Sequence, residues 1–144
     1  MTDILYVEDN IDDADIFCRL IRKLNLPVSY TILNSGSEAL DYLSNPPADH
    51  ANQDVSLPKL LLLDLNLDGM SGIDVLEVIR AEERTRWLPI VAFSTSDNPK
   101  DIEQAYAAGI NAYLVKPGSY QATGVMLQRL CEFWLNDNTR FGNQ

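Results

Sequence analysis

Basic residues are scarce in this chain: 11 Lys and Arg stand against 21 Asp and Glu, a formal charge of −10. Such a surface repels phosphate backbones at long range, so direct nucleic-acid binding is excluded as a leading role. Histidine is almost lacking. The single copy, His50, lies in a polar stretch, which excludes a histidine-based metal site or a histidine-centred triad. Two cysteines, Cys18 and Cys131, are too few for a disulfide framework. Both lie inside apolar helical patterns, as packed thiols in a reducing compartment do. No run of about 18 apolar residues occurs, so no membrane span is expected. The opening MTDILYVEDN carries acids where a secretory leader needs a basic region and then a long apolar one. A cytoplasmic location is therefore expected.

What is present is enough for one core. With 144 residues, 46% of them apolar, the chain has the size of a single domain. A chain of this length buries roughly 70% of its unfolded surface without staples. Short apolar runs alternate with helical periods. Ile4 to Val7, Val28 to Leu33, Leu60 to Leu63, Pro89 to Phe93 and Ala112 to Val115 read as strands. Between them, Ile16, Phe17, Leu20, Ile21 and Leu24 form one helical stripe, with Asp12 or Asp13 as its expected cap. Ser37 to Leu43, the Ile73–Leu76–Ile79 stripe and the Ile102–Ala105–Tyr106 stripe predict three more helices, the last ended by Gly109. Leu127, Leu130, Cys131 and Trp134 mark a closing helix. Strands separated by helices cannot be hairpins, so a parallel sheet covered on both faces is expected: a doubly wound α/β domain. Asn45 to Leu57 reads as a long surface loop, and the tail over 136–144 as polar and loose.

In an open parallel sheet, ligands bind at the carboxyl ends of the strands. The first strand ends in Glu8 and Asp9, the third in Asp64, the fourth in Ser94 and the fifth in Lys116. Singly, each has a plain reading as a helix cap, a turn residue or a surface lysine. Jointly, three carboxylates, a hydroxyl and an amine converge on one edge. Close carboxylates repel and raise one another's pKa. A hard divalent cation would compensate, since Mg²⁺ takes a few carboxylate oxygens and keeps several waters. Asp64 would then be placed as a nucleophile toward phosphorus, Lys116 as a point charge for a phosphoryl oxygen and Ser94 as a donor to another.

The motifs ILYVEDN, LLLLDLNLDGMSG, PIVAFSTS and AYLVKP resemble, taken together, the receiver domain of two-component response regulators over residues 3 to about 135. The resemblance implies a flavodoxin-like (βα)5 fold with strand order 2-1-3-4-5. It implies that Asp64 is the phosphoacceptor. Glu8, Asp9, Asp64 and the backbone carbonyl of Asn66 would form a Mg²⁺ or Mn²⁺ site. Ser94 would be the switch hydroxyl, Tyr113 the switch aromatic and Lys116 the phosphate-neutralising lysine. EDN with its acid-rich helix start, the long loop before the third strand and STS after the fourth are similar to the small, single-domain receivers that serve bacterial, cyanobacterial-type phytochromes. Ile11 departs from the Pro often found there. The implied donor is a sensor histidine kinase, of the phytochrome type by that likeness, and the partner downstream stays unnamed. With only a helix and a short tail after the fifth strand, output through protein contacts is expected in place of an output domain.

Two rival readings carry their own signals. Asp64 and Asp68 around Asn66 resemble the nucleophile motif of haloacid-dehalogenase-type phosphatases, though there the intervening polar residue is usually Asp and the nucleophile follows the first core strand. The other rival is a dimerisation module that phosphorylation leaves unchanged. Phe133, Trp134 and Leu135 are consecutive, and helical neighbours lie about 100° apart. They cannot all face one core, so a homodimer through the last helix is expected.

Overall fold

The computed structural model describes residues 2–44 and 57–141. The loop expected over Asn45–Leu57 lies almost wholly outside them, as do His50 and the end of the tail. Five strands and five α-helices alternate: β1 (Ile4–Val7), α1 (Ile11–Lys23), β2 (Tyr30–Leu33), α2 (Gly36–Ser44), β3 (Leu60–Leu63), α3 (Gly72–Ala81), β4 (Ile90–Ser94), α4 (Pro99–Ala108), β5 (Ala112–Val115) and α5 (Tyr120–Cys131). All pairings are parallel, in the order β2-β1-β3-β4-β5. This is the flavodoxin-like α/β arrangement expected. No described helix is long and apolar enough to cross a membrane.

Period two along each strand sorts the core into two layers. Leu5, Val7, Leu61, Leu63, Ile90 and Ala92 pack with residues of α2, α3 and α4. Ile4, Tyr6, Leu60, Leu62, Val91 and Phe93 pack with residues of α1 and α5. Every residue of β1, β3 and β4 is buried, which is why these segments read as unbroken apolar runs.

One expectation is corrected. Asn10, not Asp12 or Asp13, caps α1: its side chain accepts from the Asp13 amide at 3.0 Å. Asn is as good a cap as Asp, and its position leaves both acids in the first turn, where the helix dipole favours them. A π-helical turn, Glu132–Asp137, extends α5, and the Phe141 ring then lies 5.5 Å from that of Trp87. The Arg86 guanidinium also lies 5.1 Å from the centre of the Trp87 ring.

Candidate functional site

Register builds the site. Val7 pairs with Leu63, so Glu8 and Asp64 leave β1 and β3 at the same height. Ser94 pairs with Val115, so Lys116 emerges one residue later beside them. Parity then decides which side of the sheet each side chain takes. Glu8 continues the Ile4–Tyr6 face, Asp64 the Leu60–Leu62 face and Lys116 the Ala112–Leu114 face, all toward α1 and α5. Ser94 continues the Ile90–Ala92 face and sits on the side of Tyr113, toward α4.

The described acids include one cluster with metal-binding geometry. Glu8, Asp9 and Asp64 each offer an oxygen, all within 4.8 Å of one another. Asp9 is held by the β3–α3 loop, whose Asp68 amide donates to it at 2.9 Å. The Asn66 amide donates to Asp64 at 3.0 Å, which fixes that carboxylate's orientation. The loop can fold so tightly because residue 72 is glycine. A Cβ there would stand 2.6 Å from the Leu65 Cα and 2.8 Å from the Asp64 carbonyl oxygen.

Lys116 is the hub. Its ammonium lies 2.5 Å from Glu8, 2.8 Å from Asp13 and 3.2 Å from Asp64, with only 10% of its side chain exposed. Burial by itself disfavours the charged form. Hydrogen bonds to Asp13 and Glu8 and the charge of Asp64 outweigh that, so the ammonium stays protonated above its ordinary range. Glu8 is wholly buried. Burial, with the nearness of Asp64, pushes its carboxyl up to about 7, while Lys116 works in the opposite sense.

Ser94 is buried, and its hydroxyl accepts from the Ser96 amide at 3.1 Å and lies 3.4 Å from the Asn66 side-chain amide. Tyr113 donates its hydroxyl to the Ser96 carbonyl at 2.8 Å. Ser94 and Tyr113 therefore grip the same short loop after β4.

Two participants escaped the reading of strand ends. The Tyr6 hydroxyl donates to Glu8 at 2.8 Å from inside the α1–α5 core. Burial and then the Glu8 charge hold that phenol protonated well above its ordinary range. Asp13 was read as a cap and is instead an ion-pair partner of Lys116. A signal existed for it: Asp13 lies four residues before Phe17, on the inward stripe that continues to Leu20 and Leu24.

Comparison with known proteins agrees with this geometry. The response regulator receiver domain family matches residues 4–127. The chain is 36% identical over 135 residues to the probable methanogenesis regulatory protein FilR2 of Methanothrix harundinacea, covering 94% of this chain and 84% of that one. It is 30% identical over 136 residues to the response regulator Rcp1 of Synechocystis sp., covering 94% and 90%. The structure of the Mn(2+)-bound form of Rcp1 superposes with a TM-score of 0.81 at 29% identity, over 96% of this chain and 98% of that one. The phosphorylated cyanobacterial phytochrome response regulator RcpA superposes with a TM-score of 0.83 at 29% identity, over 99% and 100%.

Proposed function

This chain belongs to the response regulator receiver domain family, and we propose that it takes a phosphoryl group onto Asp64 from a sensor histidine kinase. A receiver is the acceptor in this chemistry, not an enzyme working through a pool of substrate. The observation that carries the assignment is the convergence of Glu8, Asp9 and Asp64 with the Lys116 ammonium 3.2 Å from Asp64. An Asp64 oxygen attacks phosphorus, an O–P bond forms and the N–P bond of the phosphohistidine breaks. Lys116 neutralises a phosphoryl oxygen, and the Ser94 hydroxyl donates to another. The site fits a hard dication, because three hard oxygen donors face one another and, among the described residues, one ammonium opposes them. Glu8, Asp9, Asp64 and the Asn66 carbonyl would hold Mg²⁺ or Mn²⁺, which supplies charge neutralisation for the incoming phosphoryl group. Asn66 between the acids, and an acceptor on the third strand, speak against the dehalogenase-type phosphatase.

The switch follows from the shared loop. Drawing Ser94 toward the phosphoryl group pulls on Ser96, whose carbonyl tethers Tyr113. Tyr113 then moves into the space vacated and alters the face made by α4, β5 and α5. Inverting a 1:99 equilibrium takes about 5.5 kcal/mol, while couplings between sites are typically about 1–3 kcal/mol. The response is therefore graded.

Likeness to Rcp1 and RcpA supports a phytochrome-type kinase as donor and a cytoplasmic setting. The last helix supports a homodimer. Of its three consecutive apolar residues, Phe133 is half exposed while Trp134 and Leu135 pack against the core. Phe133 lines a groove of about 570 Å³ together with Leu114, Pro117, Met126, Leu130 and Trp134. Sedimentation with and without beryllofluoride tests the dimer; a monomer in both states at tens of micromolar removes it.

Acetyl phosphate with Mg²⁺ should add one phosphoryl mass to the intact protein. Asp64→Asn or excess chelator should abolish the shift. A shift that persists in either would overturn the assignment.

A further inference from the structure

Asp13 has no part in the scheme above, yet it is the second-nearest partner of Lys116. We propose that Asp13 is a positioning residue that competes with the phosphoryl group for Lys116 and so biases the domain toward its unphosphorylated state. The inference rests on Asp64 as acceptor.

A lysine ammonium has three hydrogens to donate. Here Glu8, Asp13 and Asp64 use all three. The two shorter contacts are to Glu8 and Asp13, and the longest is to Asp64, so the ammonium rests nearer α1 than the acceptor. A phosphoryl group on Asp64 brings three strong acceptor oxygens and roughly twice the charge of the carboxylate. To meet them the ammonium must give up a contact. Glu8 has no access to water and would lose its strongest partner in a dry place. The Asp13 side chain is 33% exposed, and water can replace the ammonium there. Asp13 is therefore the partner released.

Space for that water lies on the Asp13 side of the ammonium. A cavity of about 50 Å³ lies against Lys116, walled by Tyr6, Asp13, Phe17, Phe93 and Thr123. An interaction made in one state and broken in the other shifts the equilibrium toward the first. Asp13 also carries a negative charge close to where a dianion must arrive, which acts in the same direction.

The test follows acetyl-phosphate labelling of the full chain at saturating Mg²⁺ by intact mass, for the wild type, Asp13→Asn, Asp13→Ala and Asp12→Asn. Asp12 is an exposed neighbour on α1, so its variant makes the same charge change without touching Lys116. Both Asp13 variants should label about two- to fivefold faster, the range a partly exposed ion pair supplies, and Asp12→Asn should match the wild type. Misfolding lowers labelling, so it cannot imitate a gain. Labelling of the Asp13 variants at or below the wild-type rate would show that Asp13 supports Lys116 and does not compete for it. An equal gain in Asp12→Asn would assign the effect to bulk charge. If the wild type takes no phosphate at all, it is the assignment of Asp64 that fails.

Discussion

Two half-buried or buried cations stand at opposite ends of the sheet, and they are held in opposite ways. Lys116, at the carboxyl edge, is surrounded by three carboxylates. Arg80, on α3, is surrounded by neutral dipoles. Its guanidinium donates to the carbonyls of Gly109 at 2.8 Å, Arg86 at 2.9 Å and Leu88 at 2.7 Å, and to the Asn111 side chain at 3.0 Å. Asn111 in turn accepts from the Ile90 amide at 2.8 Å, so one arginine ties α3, β4 and the α4–β5 turn together. Burial lowers the Arg80 pKa. Backbone carbonyls cannot leave, so Arg80 is locked. Carboxylates can take water, metal or a proton instead, so Lys116 can be reassigned. A structural cation is fixed by groups with no alternative; a functional cation sits among competitors.

The largest expected effect separates the two outright. Lys116→Met should slow labelling of Asp64 by about 10²–10³-fold, as loss of a charge-stabilising donor does, while leaving the fold intact by circular dichroism. Arg80→Met should do the reverse. It strands several carbonyls and should lower stability by about 1–3 kcal/mol in urea denaturation, with labelling kept at the wild-type rate. If Arg80→Met blocks labelling without unfolding, the contrast is broken. Gly109→Ala should behave like Arg80→Met. Residue 109 holds φ at +111°, and a Cβ would meet the Arg80 side chain at 2.8 Å.

Tyr6→Phe sharpens the carboxylate half of the comparison. It removes one donor from a buried carboxylate while keeping the ring among Phe17 and Phe93. A loss of about 1 kcal/mol is expected, measured in chelator; no change would mean that Lys116 and the Asn10 amide suffice for Glu8.

The carboxylate half of the comparison also predicts a pH dependence. Glu8 holds its proton up to about pH 7 in the fold, against an ordinary value of 4.5. Its contribution is therefore full below about pH 4.5 and is lost as pH rises through 7. The urea midpoint of the metal-free protein should fall across that window, and Glu8→Gln should flatten the fall. Mg²⁺ should oppose it, because a cation favours the carboxylate.

Much of this was legible along the chain. LLLL and IVAF fit strands covered on both faces, and their alternation with helical stripes pointed to a parallel sheet. Given that sheet, the residues ending its strands had to meet at one edge, which located Glu8, Asp9, Asp64, Ser94 and Lys116. Helix ends were less legible, because Asn10, Asp12 and Asp13 are all good caps and only the backbone geometry chooses among them.

What the sequence determined by itself was the period of each segment and the residue at its end, since both depend on neighbours a few positions away. What only the tertiary structure decided was who meets whom across the core. Asp13 and Lys116 are 103 positions apart, and Glu8 and Lys116 are 108 apart. Their meeting depends on strand register, on strand parity and on how α1 lies across β1. Arg80 reaches Asn111 for the same reason, through the packing of α3 beside the α4–β5 turn. Local pattern sets each element, whereas packing against distant chain sets the partners of each charge.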